Sequence, residues 1–593
     1  MRNFCFIILF FFVFSSTGIA QTDTAPPRIY TTQRIPSDLS IEIDGLLDDA
    51  AWDQVEWASD FIENEPNENT EPHQQTRFKV LYDEKFIYFG VQSLDKSPDS
   101  IVSWLSRRDG FDGDRINVFI DSYFDKRTAF MFGVTAAGVK GDAIVSQNGE
   151  EFDDSWNPVW YTDTNIDAEG WTAEMKIPLS QLRFGKSKEQ IWGLNIARRI
   201  FRLNERSLWD RIPAGAAGSV SEYGELHGLI DLVPQKQLEI QPFTVLKHET
   251  YPEEENNPFR DGQDSGINAG LDAKIGVTND LTLDLTVNPD FGQVEADPAA
   301  IALDGFQIFF REQRPFFVEN KNIFEFELNG QDNLFYSRRI GRNPQGFVVP
   351  EDGEFVDIPE NTTILGAAKF SGKTRDGWSI GILESVTAKE FAEIDRNGDR
   401  REELIEPLTN YFVARLQKDL NDRNSFIGGM FTATNRDNKE ELQYLRTSAY
   451  SGGLDFLHQW KNREYFVRGK TILSHVEGNA EAIEITQREL THLFQRIDAD
   501  HVEVDPTRTS LTGTGGSFEG GRQGGGNFTY SLQMSWSSPE LEINDIGFLR
   551  RTDNIRQEFE INYRILQPVG ELRSFRIGLE QSSAFDFEGN YNR

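Results

Sequence analysis

Leu281-Thr-Leu-Asp-Leu-Thr-Val287, followed by Asn288-Pro-Asp-Phe-Gly-Gln-Val-Glu-Ala-Asp297, divides the chain in two. Leu281, Leu283, Leu285 and Val287 alternate with Thr282, Asp284 and Thr286. That is the period of a strand with one apolar and one polar face. Pro289 and Gly292 then break the strand. Upstream, the sequence is rich in tryptophan and reads as a soluble domain. Downstream, short alternating segments are joined by Asn, Asp and Gly turns. The junction, 281–342, is expected to be where a secreted binding module meets a membrane β-barrel.

Composition narrows the classes. The 593 residues are too many for one ordinary core, and 60 Lys plus Arg against 96 Asp plus Glu give a net charge of -36. So acidic a chain repels phosphate backbones, which excludes a nucleic-acid partner. Arg2, the apolar run Phe4 to Phe14 and the small-residue exit Ser15-Ser-Thr-Gly-Ile-Ala20 read as a signal peptide over 1–20, so the protein is expected to be exported. Cys5, the single cysteine, lies inside it, leaving no disulfide or thiolate metal site in the mature protein. No later apolar run is long enough for a spanning helix. Embedding in a membrane therefore requires a closed barrel, which satisfies the backbone inside lipid.

Residues 21–36, with Pro26-Pro27, are expected to form a linker, and 37–233 a β-sandwich. Arg77 to Leu81 and Phe86 to Val91 flank a polar Asp83-Glu-Lys85 turn. Arg115-Ile-Asn-Val-Phe-Ile-Asp121, Trp171-Thr-Ala-Glu-Met-Lys-Ile177 and Trp192-Gly-Leu-Asn-Ile196 alternate. Trp171 and Trp192 share strand faces with apolar neighbours and are assigned to the core. Trp104, Trp156, Trp160 and Trp209 sit in polar, turn-prone runs. They are the candidates for carbohydrate contact, because sugar C–H faces stack on aromatic planes; packing is the competing use of the same residues. Asp112, Asp114, Asp121 and Asp125 offer carboxylates to Ca2+, against a plain solvated loop.

Asp44-Gly-Leu-Leu-Asp-Asp-Ala-Ala-Trp52, Asp114-Arg-Ile-Asn-Val-Phe-Ile-Asp-Ser-Tyr123, Gly170-Trp-Thr-Ala-Glu-Met-Lys-Ile-Pro178 and Trp192-Gly-Leu-Asn-Ile-Ala-Arg-Arg199 together resemble the family 9 carbohydrate-binding modules. The resemblance implies a sandwich that holds sugars by aromatic stacking. Some members of that family bind calcium, and some occur in glycoside hydrolases. Asn288 to Asp297, Arg311-Glu-Gln-Arg-Pro-Phe-Phe-Val-Glu-Asn320 and Tyr336-Ser-Arg-Arg-Ile-Gly341 resemble an uncharacterised bacterial family, DUF5916. In it such a module precedes an outer-membrane barrel.

The expected fold class is thus all-β: an N-terminal sandwich and, over 238–593, an antiparallel outer-membrane-type barrel. Strands such as Trp378 to Val386, Tyr465 to Leu473 and Phe528 to Trp536 carry the alternation. A soluble all-β domain is the competing reading. The chain ends on Tyr591-Asn-Arg593 instead of an aromatic residue, so the barrel is expected to be incomplete there. Ser371-Gly-Lys-Thr374 is not a phosphate loop, because Ala367 stands where glycine is required.

Three functions compete. The first is a carbohydrate-binding protein of the Gram-negative outer membrane, with a glycan ligand, outer-membrane lipid as partner and a periplasmic module, acting in glycan capture or uptake. The second is a hydrolase of O-glycosyl bonds in carbohydrate catabolism, for which Glu295, Asp297, Glu312 and Glu319 are the carboxylates to watch. Pairing of these acids with Arg311, Arg314, Arg338 and Arg339 is the structural alternative. The third is a structural or assembly factor of the outer membrane.

Overall fold

The computed structural model describes residues 26–591 apart from 155, 186, 233–237, 279, 290–301, 304, 331, 375, 422, 439, 566–569, 571 and 573. The expected signal peptide at 1–20 lies outside the described residues, as do Glu295 and Asp297.

The N-terminal half folds as two packed sheets. One runs, in spatial order, Ile29–Thr31, Gly224–Ile230, Glu189–Ile200, Arg115–Asp121, Ala129–Thr135, Lys140–Ser146 and Glu151–Asp153, with Glu205–Leu208 and Ile62–Glu65 attached to its side. The other runs Tyr161–Ile166, Gly170–Pro178, Phe86–Leu94, Thr76–Tyr82 and Gln33–Arg34. Alternation decides which side chains meet between them. Phe78, Val80, Phe89, Val91, Trp171 and Ala173 from the second sheet pack against Val118, Ile120, Trp192 and Leu194 from the first. The stretch expected as a linker contributes to this sandwich. Ile29–Thr31 pairs in parallel with Gly224–Ile230, and Gln33–Arg34 with Thr76–Tyr82, so the domain starts before residue 37.

Among the described residues the C-terminal half is built on a 13-stranded antiparallel sheet, from Leu238–Thr250 to Phe575–Phe585, in which each strand pairs with its neighbours in order along the chain; a three-stranded and a two-stranded sheet accompany it. Alternation holds along it. In Trp378–Thr387, Ser379, Gly381, Leu383, Ser385 and Thr387 are buried, while Trp378, Ile382 and Glu384 are exposed. Closure does not hold. Leu238–Thr250 pairs only with Gln263–Gly276, and Phe575–Phe585 only with Asn554–Ile565, among the described strands. Two open edges carry unpaired N–H and C=O groups, which a hydrocarbon interior does not tolerate. The barrel, the outer-membrane-lipid partner, the outer-membrane location and the periplasmic orientation are corrected on this ground, and the uptake and membrane-assembly roles go with them. No described helix is long and apolar enough to cross a membrane.

The junction packs on one face of this sheet. A strap containing the helix Pro315–Val318, the turn Lys321–Phe324 and the strand Glu327–Asn329 places Phe316, Phe324, Phe326, Leu334 and Ile340 against Leu383, Val413, Met430 and Ile472, with Leu541 and Ile543 closing the same core. A Cβ at Gly453 would stand 2.6 Å from the Phe326 ring, so only glycine admits the strap this close. The sandwich docks on the sheet through buried charge. Lys373 Nζ lies 2.8 Å from Asp125 Oδ2 and 2.9 Å from Asp419 Oδ2, and Arg127 reaches Asp419 at 3.4 Å. Arg423 donates to the Phe124 carbonyl and Arg463 to that of Lys126, each at 2.5 Å.

Candidate functional site: an aromatic platform on the sandwich

Of the four tryptophans proposed for ligand contact, the structure leaves one outside. Trp104 is 60% exposed, whereas Trp156, Trp160 and Trp209 are 6, 2 and 3% exposed. The polar sequence around the buried three misleads because each found a partner indoors. Trp160 Nε1 donates to Asp142 Oδ2 at 3.0 Å, Trp156 lies against Phe130 and Phe132, and Trp209 meets Phe78 edge-on at 5.2 Å.

Trp104 stands on the loop between Phe86–Leu94 and Arg115–Asp121. A bridge between Ser103 and Gly113, and the Asp114 N–H donating to the Val102 carbonyl at 2.9 Å, close the base of this loop. Gly113 is at φ +155°, and a Cβ there would come within 2.6 Å of that carbonyl. Arg108 pairs with Asp142, and Asp109 accepts from the Asp142 N–H at 2.9 Å, anchoring the far side. Beside Trp104 the turn Phe201–Leu203 presents Phe201, 38% exposed, with ring centroids 5.7 Å apart and planes at 67°. Sequence reasoning missed Phe201, because nothing in its local pattern separates it from a strand-end residue.

Buried charge fixes the platform from beneath. Phe201 N–H donates to Asp114 Oδ1 at 2.9 Å, and Arg202 forks onto both oxygens of Asp95 at 2.8 Å. Arg198, fully buried, donates from Nη1 to the carbonyls of Gln75 and Leu94. Burial lowers the Arg198 guanidinium to about 10 and raises Asp114 above the usual carboxylate range. The result is two apolar faces at an angle, open to solvent, with Arg202 next to Phe201 and tied to Asp95 beneath. Sugar rings use such a surface: C–H faces against aromatic carbon, hydroxyls toward fixed ionic groups.

The proposed calcium ligands do not share one coordination sphere. Asp112 is exposed, and Asp114 holds Phe201. Asp121 then follows seven steps along the strand, roughly 23 Å at strand rise, with Asp125 beyond it. Asp121 accepts from the N–H groups of Asp125 and Lys126; burial, then the charge of Asp125, pushes it up to about 8. Against burial, Lys373 holds Asp125 well below the carboxylate range. These two acids belong to the interdomain lock. Elsewhere, Glu63, His73 and Glu205 bring ligand-type atoms within 4.8 Å of one another, as do His501, Asp586 and Glu588, and each set is held by hydrogen bonds of its own.

Among the watched carboxylates, Glu312 is buried against Arg314, accepting from its Nη2 at 2.8 Å and from Ser337 Oγ at 2.6 Å. Glu319 lies 2.9 Å from both Lys274 and Arg183. Against the upward push of burial, these cations hold both acids down to about 2. They are ion-paired ties of the strap, whereas a general acid needs its proton held up into the working pH range.

A family model described as Domain of unknown function (DUF5916) matches residues 234–592, and one described as Carbohydrate family 9 binding domain-like matches residues 43–201. Among solved structures, a family 9 carbohydrate-binding module from Caldicellulosiruptor kristjanssonii, in complex with cellotriose, is 18% identical over 34% of this chain and 93% of its own, at a TM-score of 0.26. OccK8 (OprE) of Pseudomonas aeruginosa is 8% identical over 82% of this chain and 87% of its own, at a TM-score of 0.27. At these TM-scores neither likeness carries an argument. No curated protein matches the chain.

Proposed function

We propose that this chain, which belongs to the DUF5916 family, binds carbohydrate through its N-terminal sandwich. The observation that carries the reading is the Trp104–Phe201 pair, two exposed aromatic faces clamped over a buried ionic floor. An exposed pair of large aromatics costs solubility, and a rigid floor beneath it spares the ordering entropy of binding. The match of 43–201 to carbohydrate-binding-like domains supports the same ligand class. Covering about 70 Å² of apolar surface at Trp104 with a pyranose face is worth about 2 kcal/mol. Trp104→Ala is therefore expected to weaken binding about 30-fold. The test is isothermal titration of the full chain and the variant against soluble oligosaccharides. Binding that is unchanged in Trp104→Ala would remove the platform from the site.

A further inference from the structure

The sandwich and the 13-stranded sheet together line a cavity of about 490 Å³, open to solvent and distinct from the Trp104 platform. That volume falls in the range of about 300–1,000 Å³ typical of ligand pockets, room for a short oligomer. The sandwich supplies Phe130, Ile144 and Gln147 to its wall, and the sheet supplies Gln417, Gln459 and Phe466.

Four cations of the wall are already paired with neighbouring carboxylates. Arg415 forks onto Asp455 with two bonds of 2.6 Å, Arg468 reaches Glu519 at 2.7 Å, Arg522 reaches Glu464 at 3.3 Å, and Lys373 is committed to Asp125 and Asp419. A phosphate or carboxylate ligand at any of these four cations would have to break a pair. Burial, then the neighbouring carboxylates of Glu151 and Glu327, pushes Glu325 up to about 8. Polar capacity remains all the same. The buried Arg415 Nε has no acceptor, and among the described residues the side chains of Asn322, Gln459 and Ser531 make no hydrogen bond to the protein. An unmatched buried donor costs about 1–3 kcal/mol unless something accepts from it. Paired ions, amides and hydroxyls beside aromatic carbon suit a ligand that is uncharged, dense in hydroxyls and apolar on its ring faces.

We infer that the interdomain cavity is a second saccharide site, taking a neutral oligosaccharide of about two or three residues and held jointly by both domains. This reading stands on the cavity wall and does not require the Trp104 platform. The test uses the full-length chain carrying Trp104→Ala, titrated with neutral β-1,4- and α-1,4-linked trisaccharides and with a trisaccharide of uronic acids. At least one neutral trisaccharide is expected to bind with one-site stoichiometry, and the uronate at least tenfold more weakly. Adding Gln459→Ala or Asn322→Ala, both partly exposed polar positions, is expected to weaken the neutral ligand at least fivefold. Hydrogen exchange of the unmutated chain supplies a readout free of folding defects: ligand should slow exchange in Tyr465–Glu477 and Phe528–Ser537. Absence of neutral-sugar binding in the Trp104→Ala chain, tighter uronate binding, or binding with no protection of those strands would each overturn the assignment. Loss of binding by Trp104→Ala at the platform alone would leave these readouts unchanged, so the two sites fail separately.

Discussion

Lys373 is the sharpest place to test how the two halves are joined. Its ammonium sits between Asp125 and Asp419, at 2.8 and 2.9 Å, with both carboxylates buried. Lys373→Met keeps the length and removes the charge. Asp125 retains three donors, the N–H groups of Arg127 and Thr128 and the Thr128 hydroxyl. Asp419 retains only the longer contact to Arg127 as its ion pair, at 3.4 Å. Breaking a buried pair from one side costs about 3–5 kcal/mol, and the surviving bonds to Asp125 put this case near about 3. With a urea slope of about 3 kcal/mol per molar, the unfolding midpoint should fall by about 1 M. Tryptophan fluorescence follows the sandwich, which holds eight of the eleven tryptophans. The loss should persist in high salt, since buried pairs are screened far less than surface pairs. Asp419→Asn added to Lys373→Met should recover part of it, because one stranded charge disappears. A midpoint within about 0.3 M of the parent, or full rescue by salt, would show that the lock carries no stability.

Two further outcomes follow from the same reasoning. Glu312 and Glu319, held down to about 2, give stability that is complete above their ordinary value of 4.5 and lost as pH falls toward 2. Glu174, which accepts from Trp52 Nε1 and is pushed by burial up to about 7, works the other way: its contribution is present below 4.5 and lost as pH rises through 7. The melting temperature should therefore peak between about pH 4.5 and 7; a scan that keeps rising to pH 9 would contradict it. Gly113→Ala forces a Cβ to within 2.6 Å of the Val102 carbonyl at a φ that disfavours side chains. Saccharide affinity at the platform should fall at least tenfold while the near-UV signal of the buried tryptophans persists; unchanged affinity would show that the loop tolerates the shift.

What the sequence disclosed is what local period controls. Trp171 and Trp192 were placed in the core by the residues two positions away, and both are buried there. The hairpin around Asp83 appeared as strands Thr76–Tyr82 and Phe86–Leu94. Period says which face a residue takes but not whether a sheet's last strand finds its first, so alternation over 238–593 suggested closure that the pairing does not contain. The acidic series around Arg115–Asp121 resembled a cation site because the partner of Asp125, Lys373, lies 248 residues further along the chain. Trp160 was misplaced for a similar reason: its indole N–H is satisfied by Asp142, outside its own polar run. Phe201 became visible only when the fold brought it beside Trp104.

The strap on this face of the sheet has a consequence for the order of assembly. Arg339 donates to the Gly547 carbonyl at 2.8 Å and to Asn544 Oδ1 at 2.8 Å, contacts spanning 208 and 205 residues. During synthesis the phenylalanines of the strap emerge long before residues 541–549. At about 5–20 residues per second, that interval lasts roughly 10–40 s. The sandwich, complete by residue 230, can fold in that time, and Phe316, Phe324 and Phe326 meet Leu383 to Ile472 of the sheet before residues 541–549 complete the same core. The core under the strap is thus closed last, by residues 541–549, after the sheet strands have already met it.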